Sequence, residues 1–411
     1  MPLAVFVLGL SVFCMSTTEV MVSGLVPALA HELQVSVPAV GNLVSLYAAG
    51  MVFGGPALTV ALLRTPRRTA LLSLLALFVA GQTTGALAPD YAVLAVSRVI
   101  TALAAAAFFG LSAASCAQLV GPAARGRALS VVFGGMMLAQ VVGLPAATVV
   151  EQHFGWRASF WIVDLLTVLC AFAVLAFVPR GARSGSEPGA VDVRAELAAL
   201  RNRQLWVAYL TNALVIGSVF AAFSYFSPIF TQVTGFSTGT VPALFALYGA
   251  GTIAGNAVVG RLADRRALTV LTAGLSVLAV TFGLFAWLAD NPVATVAAIS
   301  VLGLVGMPMN PAMTTRVMRI ANDGPIVNSV NTATINVGIG AGPLIAGLGI
   351  SAGGGLRAPL WIAGLLAVAG LLSVLPFLRG GERTSAEPSW EVSDSARRSE
   401  SAAFSGPRRS N

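Results

Sequence analysis

Twelve apolar runs, each about as long as a bilayer is thick, constrain this chain more than any other feature. Bounded by charge, Pro or Gly, they fall at roughly 3–27, 39–62, 69–88, 91–119, 127–150, 158–178, 205–227, 242–262, 267–289, 293–313, 326–348 and 358–378. A membrane-spanning helix needs about 20 apolar residues, and each run meets that. Of 411 residues, 56% are hydrophobic and 10% are charged. Soluble domains carry about a quarter of their residues as Asp, Glu, Lys or Arg, so lipid is the main solvent here. The expected fold class is therefore an all-α membrane protein with twelve transmembrane helices. The long apolar stretch from Pro2 ends at Ala28-Leu29-Ala30, like a signal-peptidase site. It is too long for a signal core, lacks a basic flank and contains Glu19, so it is read as helix 1.

The net charge of +8 does not point to nucleic acid. All 24 basic residues are arginines, and most sit in alternate loops: 2/3 (Arg64, Arg67, Arg68), 4/5, 6/7, 8/9 (Arg261, Arg265, Arg266), 10/11 (Arg316, Arg319) and the tail. The other side holds only Arg157 and Arg357. The positive-inside rule then places both termini and the central loop in the cytoplasm. The lysine-free, Arg/Ala/Gly-rich makeup points to a GC-rich bacterium, whose inner membrane is the expected location. The three cysteines lie inside apolar runs as small hydrophobes, and no metal framework follows.

The two halves repeat. At an offset of 201, Pro27, Leu43, Leu46, Tyr47, Gly50, Gly54 and Arg64 match Pro228, Leu244, Leu247, Tyr248, Gly251, Gly255 and Arg265. At an offset of 200, Gly155, Arg157, Ala158, Trp161 and Ile162 match Gly355, Arg357, Ala358, Trp361 and Ile362. Two pseudo-symmetric six-helix bundles are expected, at 1–178 and 205–378, joined by a cytoplasmic linker at 179–204 and followed by a disordered tail at 379–411. Paired bundles related by an axis along the membrane normal place a solute site at their interface near the midplane.

Several motifs resemble the major facilitator superfamily. Gly260-Arg-Leu-Ala-Asp264-Arg265-Arg266 is similar to its loop motif between the second and third helices. The first-half counterpart keeps Arg64, Arg67 and Arg68 but has Leu63 at the family's Asp. Thr17-Thr18-Glu19, Gly143-Leu-Pro145 and Gly155-Trp-Arg-Ala-Ser-Phe-Trp161 resemble the 12-helix drug:proton antiporters, in particular actinobacterial chloramphenicol-resistance exporters. The resemblance departs at Ala102, Ala146 and Ala147, where the family favours Gly. It implies a gating role for the loop residues and proton handling by the motifs that hold Glu19 and Arg98.

Three ionisable residues fall within the spans: Glu19 in helix 1, Arg98 in helix 4 and Asp164 in helix 6. Each costs about 2.5 to 3.5 kcal/mol or more at a helix centre, so each needs a partner or a task. Counted from the outer helix ends at about 1.5 Å per residue, all three share one depth. Glu19 is read as the proton-binding carboxylate, since burial disfavours its charge and a nearby Arg98 favours it. A permanent Glu19–Arg98 ion pair is the structural alternative. Asp164 is a third proton-coupling candidate, or a local hydrogen-bonding group.

Phe220, Phe223, Tyr225, Phe226 and Phe230 in helix 7 offer aromatic faces for an apolar solute, or else pack on neighbouring helices. Gly50, Gly54, Gly251 and Gly255, spaced four apart, permit close helix crossing, and Gly143 and Pro145 mark a crossing and a bend.

No catalytic constellation or Walker phosphate loop appears, so the expectation is a transporter, not an enzyme, with no cofactor or metal. Its partners would be a small-molecule substrate, protons and lipid, and it would act as a monomer. One charge crossing 100 mV releases about 2.3 kcal/mol, enough for roughly a fifty-fold solute gradient. The favoured function is proton-coupled efflux of a small amphiphilic drug such as chloramphenicol by alternating access. Export of a sugar or other metabolite is the alternative. A non-transporting sensor, which would carry a large appended domain, is least supported.

Overall fold

Each apolar run forms a helix. The computed structural model describes residues 1–62, 65–120, 124–179, 200–321 and 325–378. Most of the expected linker, the tail from 379 onward and the loop residue Arg64 lie outside the described residues. The helices are α1 (Leu3–Glu32), α2 (Val37–Leu62), α3 (Arg67–Ala86), α4 (Tyr91–Leu119), α5 (Arg125–Phe154), α6 (Trp156–Phe177), α7 (Arg203–Phe223), α8 (Thr238–Ala263), α9 (Arg266–Trp287), α10 (Pro292–Ile320), α11 (Pro325–Gly349) and α12 (Ala358–Leu378).

Eleven stretches qualify as spans by length and apolarity among the described residues, because the last, Ile326–Phe377, joins α11 to α12. These are two helices, parted where Gly353 and Gly355 take φ of +94° and +59°. Helical backbone likewise runs from α8 into α9 except at Arg266, whose φ of −137° and ψ of 50° form the corner. An even number of spans puts the first and last helix ends on one side, the arginine-rich face.

Polar side chains set several helix starts on the arginine-poor face. Asp90 accepts a bond from the Val93 amide at 2.9 Å ahead of α4. Asn291 accepts from Val293 and Ala294 ahead of α10. Each capping bond satisfies an amide that has no partner within its own helix. Gly155 opens α6 with φ 80° and ψ 161°, a conformation open essentially only to Gly. A Cβ there would meet nothing within 4 Å. Gly155→Ala is therefore expected to cost about 1–3 kcal/mol through backbone strain alone, read as a lowered thermal midpoint in detergent.

The duplication is visible in packing. On α2, Gly50 and Gly54 lie against Val99, Ala102 and Leu103 of α4, and a Cβ at Gly54 would sit 2.5 Å from the Leu103 Cα. On α8, Gly251 and Gly255 lie against Gly303, Leu304 and Pro308 of α10, and a Cβ at Gly255 would sit 2.1 Å from the Leu304 carbonyl oxygen. The partners Ala102 and Leu103 map onto Gly303 and Leu304 at the same offset of 201. Arg157 and Arg357, equivalent at an offset of 200, each form an ion pair on the arginine-poor face, but with acids that are not equivalent, Glu32 and Asp290. Residues Met1–Val374, holding both halves, form one compact unit. The outer surface is apolar, as lipid requires: Leu165, Leu169 and Phe172 on α6 and Leu365 and Leu372 on α12 are exposed.

Local departures from the expected runs have physical causes. The seventh run breaks at Ser224–Tyr225 and continues as a short helical segment through Val233. Within α5 a π-turn at Ala139–Gly143 precedes Pro145, which has no amide hydrogen to offer the regular ladder. Arg67 and Arg316, both expected in loops, sit inside helices and are 7% and 3% exposed. Their long side chains fold back against neighbouring helices, which hydropathy cannot register.

Candidate transport site

Of the 30 residues in α1, 19 are buried, so this helix runs through the protein interior rather than along lipid. Glu19 lies on it and is only partly buried. α5 packs closely on the same helix: a Cβ on Gly143 would fall 2.3 Å from the Thr17 hydroxyl oxygen.

Arg98 of α4 is fully buried and reaches across to the α1 backbone. Its Nη1 donates to the Thr18 carbonyl at 2.7 Å and its Nη2 to the Glu19 carbonyl at 3.3 Å. The ring of Tyr47 on α2, 1% exposed, covers the guanidinium with its centroid 4.3 Å from Cζ. A desolvated cation–π contact contributes about 2 kcal/mol or more. The ion pairs among the described residues are Arg157–Glu32 and Arg357–Asp290, and Glu19–Arg98 is not one. The guanidinium is thus adjacent to Glu19 yet bonded to main-chain oxygen, leaving the carboxylate unpaired.

Asp164 is placed elsewhere. It is 5% exposed on α6, and its Oδ2 accepts a bond from the Thr83 hydroxyl of α3 at 2.7 Å while Oδ1 has no partner. Asp164 thus makes the local hydrogen bond that is one of its two sequence readings, while Glu19 and Arg98 are brought together through the α1 backbone. Depth along a helix is legible in a sequence, whereas azimuth depends on how the helices pack.

The five aromatic residues are all buried, at 4% exposure or less. Phe223 contacts Phe220, Phe226, Phe245 and Tyr248 with centroids 5.3–5.9 Å apart, and Phe226 stacks on Phe230 at 5.3 Å. Tyr225 donates its hydroxyl to the Pro343 carbonyl at 2.9 Å. In this conformation the rings pack on one another and are closed to solvent.

On the arginine-rich face, Arg67 at the start of α3 donates to the Gln118 side chain at the end of α4, and Arg68 donates to the Leu175 carbonyl of α6. They tie three helices of the first half together. Gly260 lies within α8 with open space where a Cβ would be. The side chains of Asp264 and Arg265 lie outside the described residues.

The halves meet along the arginine-poor side. Ser45 of α2 donates to the Gly340 carbonyl of α11 at 2.6 Å, and Gln152 of α5 donates to the Thr238 carbonyl of α8 at 2.7 Å. Tyr225 presses on α2 so closely that a Cβ at Gly41 would lie 2.1 Å from its hydroxyl oxygen. A third bond between the halves, Asn256 to the Met137 sulfur at 3.7 Å, is weak and lies deeper. A cavity of about 220 Å³ sits in this seam, lined by Thr148, Glu151 and Gln152 from α5 and by Ser227, Thr231 and Thr238 from the second half.

Two residues of this architecture carry no intramembrane signal in the sequence. Tyr47 stands out there only as a repeat position. Arg316, at the arginine-rich end of α10, donates to the Thr211 hydroxyl at 3.0 Å, which in turn contacts the Ser373 hydroxyl at 2.7 Å. It is a fourth buried charge within the helices, beside an Asn212–Asn331 hydrogen bond of 2.8 Å.

Comparison with known proteins gives the family and the fold. The family model described as Major Facilitator Superfamily matches residues 8–326. A "Chloramphenicol resistance protein" of Streptomyces lividans is 38% identical over 379 residues, covering 92% of this chain and 96% of that protein. The "Inner membrane transport protein YdhP" of Escherichia coli strain K12 is 36% identical over 372 residues, covering 90% and 94%. Among solved structures, an inward-facing, occupied bacterial homolog of the human lysosomal transporter Spinster superposes with a TM-score of 0.76. It shares 16% identity and covers 93% of this chain and 98% of that one. With twelve long helices among the described residues, a family match over most of its length and relatives of this kind, the chain belongs to the Major Facilitator Superfamily of membrane transporters.

Proposed function

We propose that this transporter exports a small amphiphilic compound, with chloramphenicol the first candidate, in exchange for protons. The observation that carries the proposal is Glu19: a carboxylate inside the bundle, partly accessible, without an ion-pair partner, and next to an arginine committed to main-chain carbonyls. A carboxyl in low dielectric favours its neutral form, while an adjacent cation favours the charged one. Balanced between the two, Glu19 can take up a proton from one side and release it on the other as the halves rock. Likeness to a chloramphenicol resistance protein supports the substrate class.

The arginine-rich face is proposed to be cytoplasmic, so both chain ends are inside and the protein works as a monomer in a bacterial inner membrane. The two bundles, 1–178 and 205–378, are proposed to rock as units about a linker at 179–204, with Phe220, Phe223 and Phe226 offered to solute once the aromatic cluster opens. The loop motif that includes Gly260 and Asp264 is proposed to act in gating at the cytoplasmic mouth.

A sugar or other polar metabolite is the second reading. The hydroxyl-rich cavity at the seam favours it, since such solutes need directional hydrogen bonds. Resistance conferred on a sensitive bacterium, measured across a panel of antibiotics and sugar analogues with and without a protonophore, separates the readings. Chloramphenicol resistance that the protonophore removes is the expected outcome. Resistance that persists without a proton gradient would refute the coupling.

A further inference from the structure

The first-half tyrosine is doing something its second-half equivalent does not. Tyr47 and Tyr248 occupy matching positions at an offset of 201, but their surroundings differ. Glu19 and Arg98 are replaced at that offset by Phe220 and Ile299. Accordingly Tyr248 lies on Phe223 and Phe226, at 5.3 and 6.0 Å, as one ring among several. Tyr47 instead has a cation over its ring, the Arg98 Cζ 4.3 Å from the centroid.

We propose that Tyr47 is a positioning residue that holds the Arg98 guanidinium on the α1 backbone and so keeps it from pairing directly with the Glu19 carboxylate. Three contacts fix the guanidinium: carbonyl acceptors at Thr18 and Glu19 on its edge, and the Tyr47 ring on its face. Removing the ring frees a buried arginine that already touches the Glu19 main chain, beside a Glu19 carboxylate that has no ion-pair partner among the described residues. An ion pair there would hold Glu19 in its charged form and weaken its capacity to carry a proton. The ring is the working part. The Tyr47 hydroxyl is buried without a hydrogen-bond partner, so the cation–π contact rather than the phenol provides the restraint.

The remaining groups on helices packed against α1 do not supply the same control. On α6, Asp164 is bonded to Thr83 and Cys170 lies beside Cys14. On α5, Glu151 faces the seam cavity, and Arg125 and Arg127 stand at the arginine-rich end. After α7, Tyr225 is engaged by Pro343. The inference rests on Glu19 being the proton carrier, and it is testable without knowing the solute.

The test is an infrared pH titration of the purified full-length protein in nanodiscs. The Glu19 carboxyl band is identified by its absence in Glu19→Gln, and every variant is first checked for a wild-type thermal midpoint. Tyr47→Leu is expected to lower the titration midpoint of that band by about one pH unit or more, because a closer cation favours the carboxylate. Tyr47→Phe keeps the ring and is expected to titrate within about 0.3 unit of wild type. An unchanged midpoint in Tyr47→Leu, or an equal shift in Tyr47→Phe, would overturn the positioning role while leaving the proton reading intact. If wild type shows no titrating Glu19 band between pH 5 and 10, the proton reading itself fails and the inference falls with it.

Discussion

Glu19→Gln is expected to reduce active export to the level of cells without the transporter while leaving passive exchange of the same compound intact. Gln is close to Glu in size and is neutral at every pH, so it reproduces the shape of the protonated side chain without its ability to release the proton. Because Arg98 is bonded to the Thr18 and Glu19 carbonyls rather than to the carboxylate, the substitution leaves those contacts in place. Folding should therefore be near wild type. What disappears is the link to the gradient: about 2.3 kcal/mol per charge at 100 mV sustains roughly a fifty-fold solute ratio, and without it the ratio relaxes to one. Labelled chloramphenicol in energised inside-out vesicles reads the first quantity, and exchange across unenergised vesicles reads the second. A fall in both together would mean that Glu19 binds solute or supports the fold instead.

The second large effect is on folding. Gly255→Leu is expected to prevent assembly of the second half, because the nearest atoms to its Cβ are the Leu304 carbonyl oxygen at 2.1 Å and carbon at 2.7 Å, and Pro308 Cγ at 2.7 Å. Backbone and proline ring cannot swing aside as a flexible side chain can. Ordinary overpacking costs about 1–3 kcal/mol, and a clash with backbone exceeds that, against a total stability of only about 5–15 kcal/mol. Gly110→Leu is the matched control: Gly110 is exposed on α4 and a Cβ there meets nothing within 4 Å. Yield and thermal midpoint in detergent should collapse for the first variant and stay near wild type for the second. Equal behaviour of the two would show that the α8–α10 crossing does not set stability.

The twelve helices and their duplication are legible because both are written in one dimension. Hydropathy marks the spans, and an offset of 201 carries Gly50 and Gly54 onto Gly251 and Gly255, which the fold presents to equivalent partners on α4 and α10. Glu19 and Arg98 are legible as costly intramembrane charges, and the structure brings them together. What stays hidden is the direction a side chain takes around its helix. Equal depth groups Asp164 with the other two, but α6 turns it toward Thr83 of α3. Tyr47 has no charge to mark it, and Arg316 reads as a loop residue because hydropathy assigns any arginine near a span end to water. The end of α7 breaks at Ser224–Tyr225 without a glycine, and Tyr225 plugs the seam with α2 and α11, a tertiary arrangement that local sequence does not encode.

Proton movement itself is the most direct test of the claim that Glu19 couples solute to the gradient. With purified protein in liposomes holding a trapped pH dye, a chloramphenicol gradient imposed across the membrane should drive an opposite proton flux in the wild-type protein and none in Glu19→Gln. Proton flux of the same size in the Glu19→Gln variant would contradict the account.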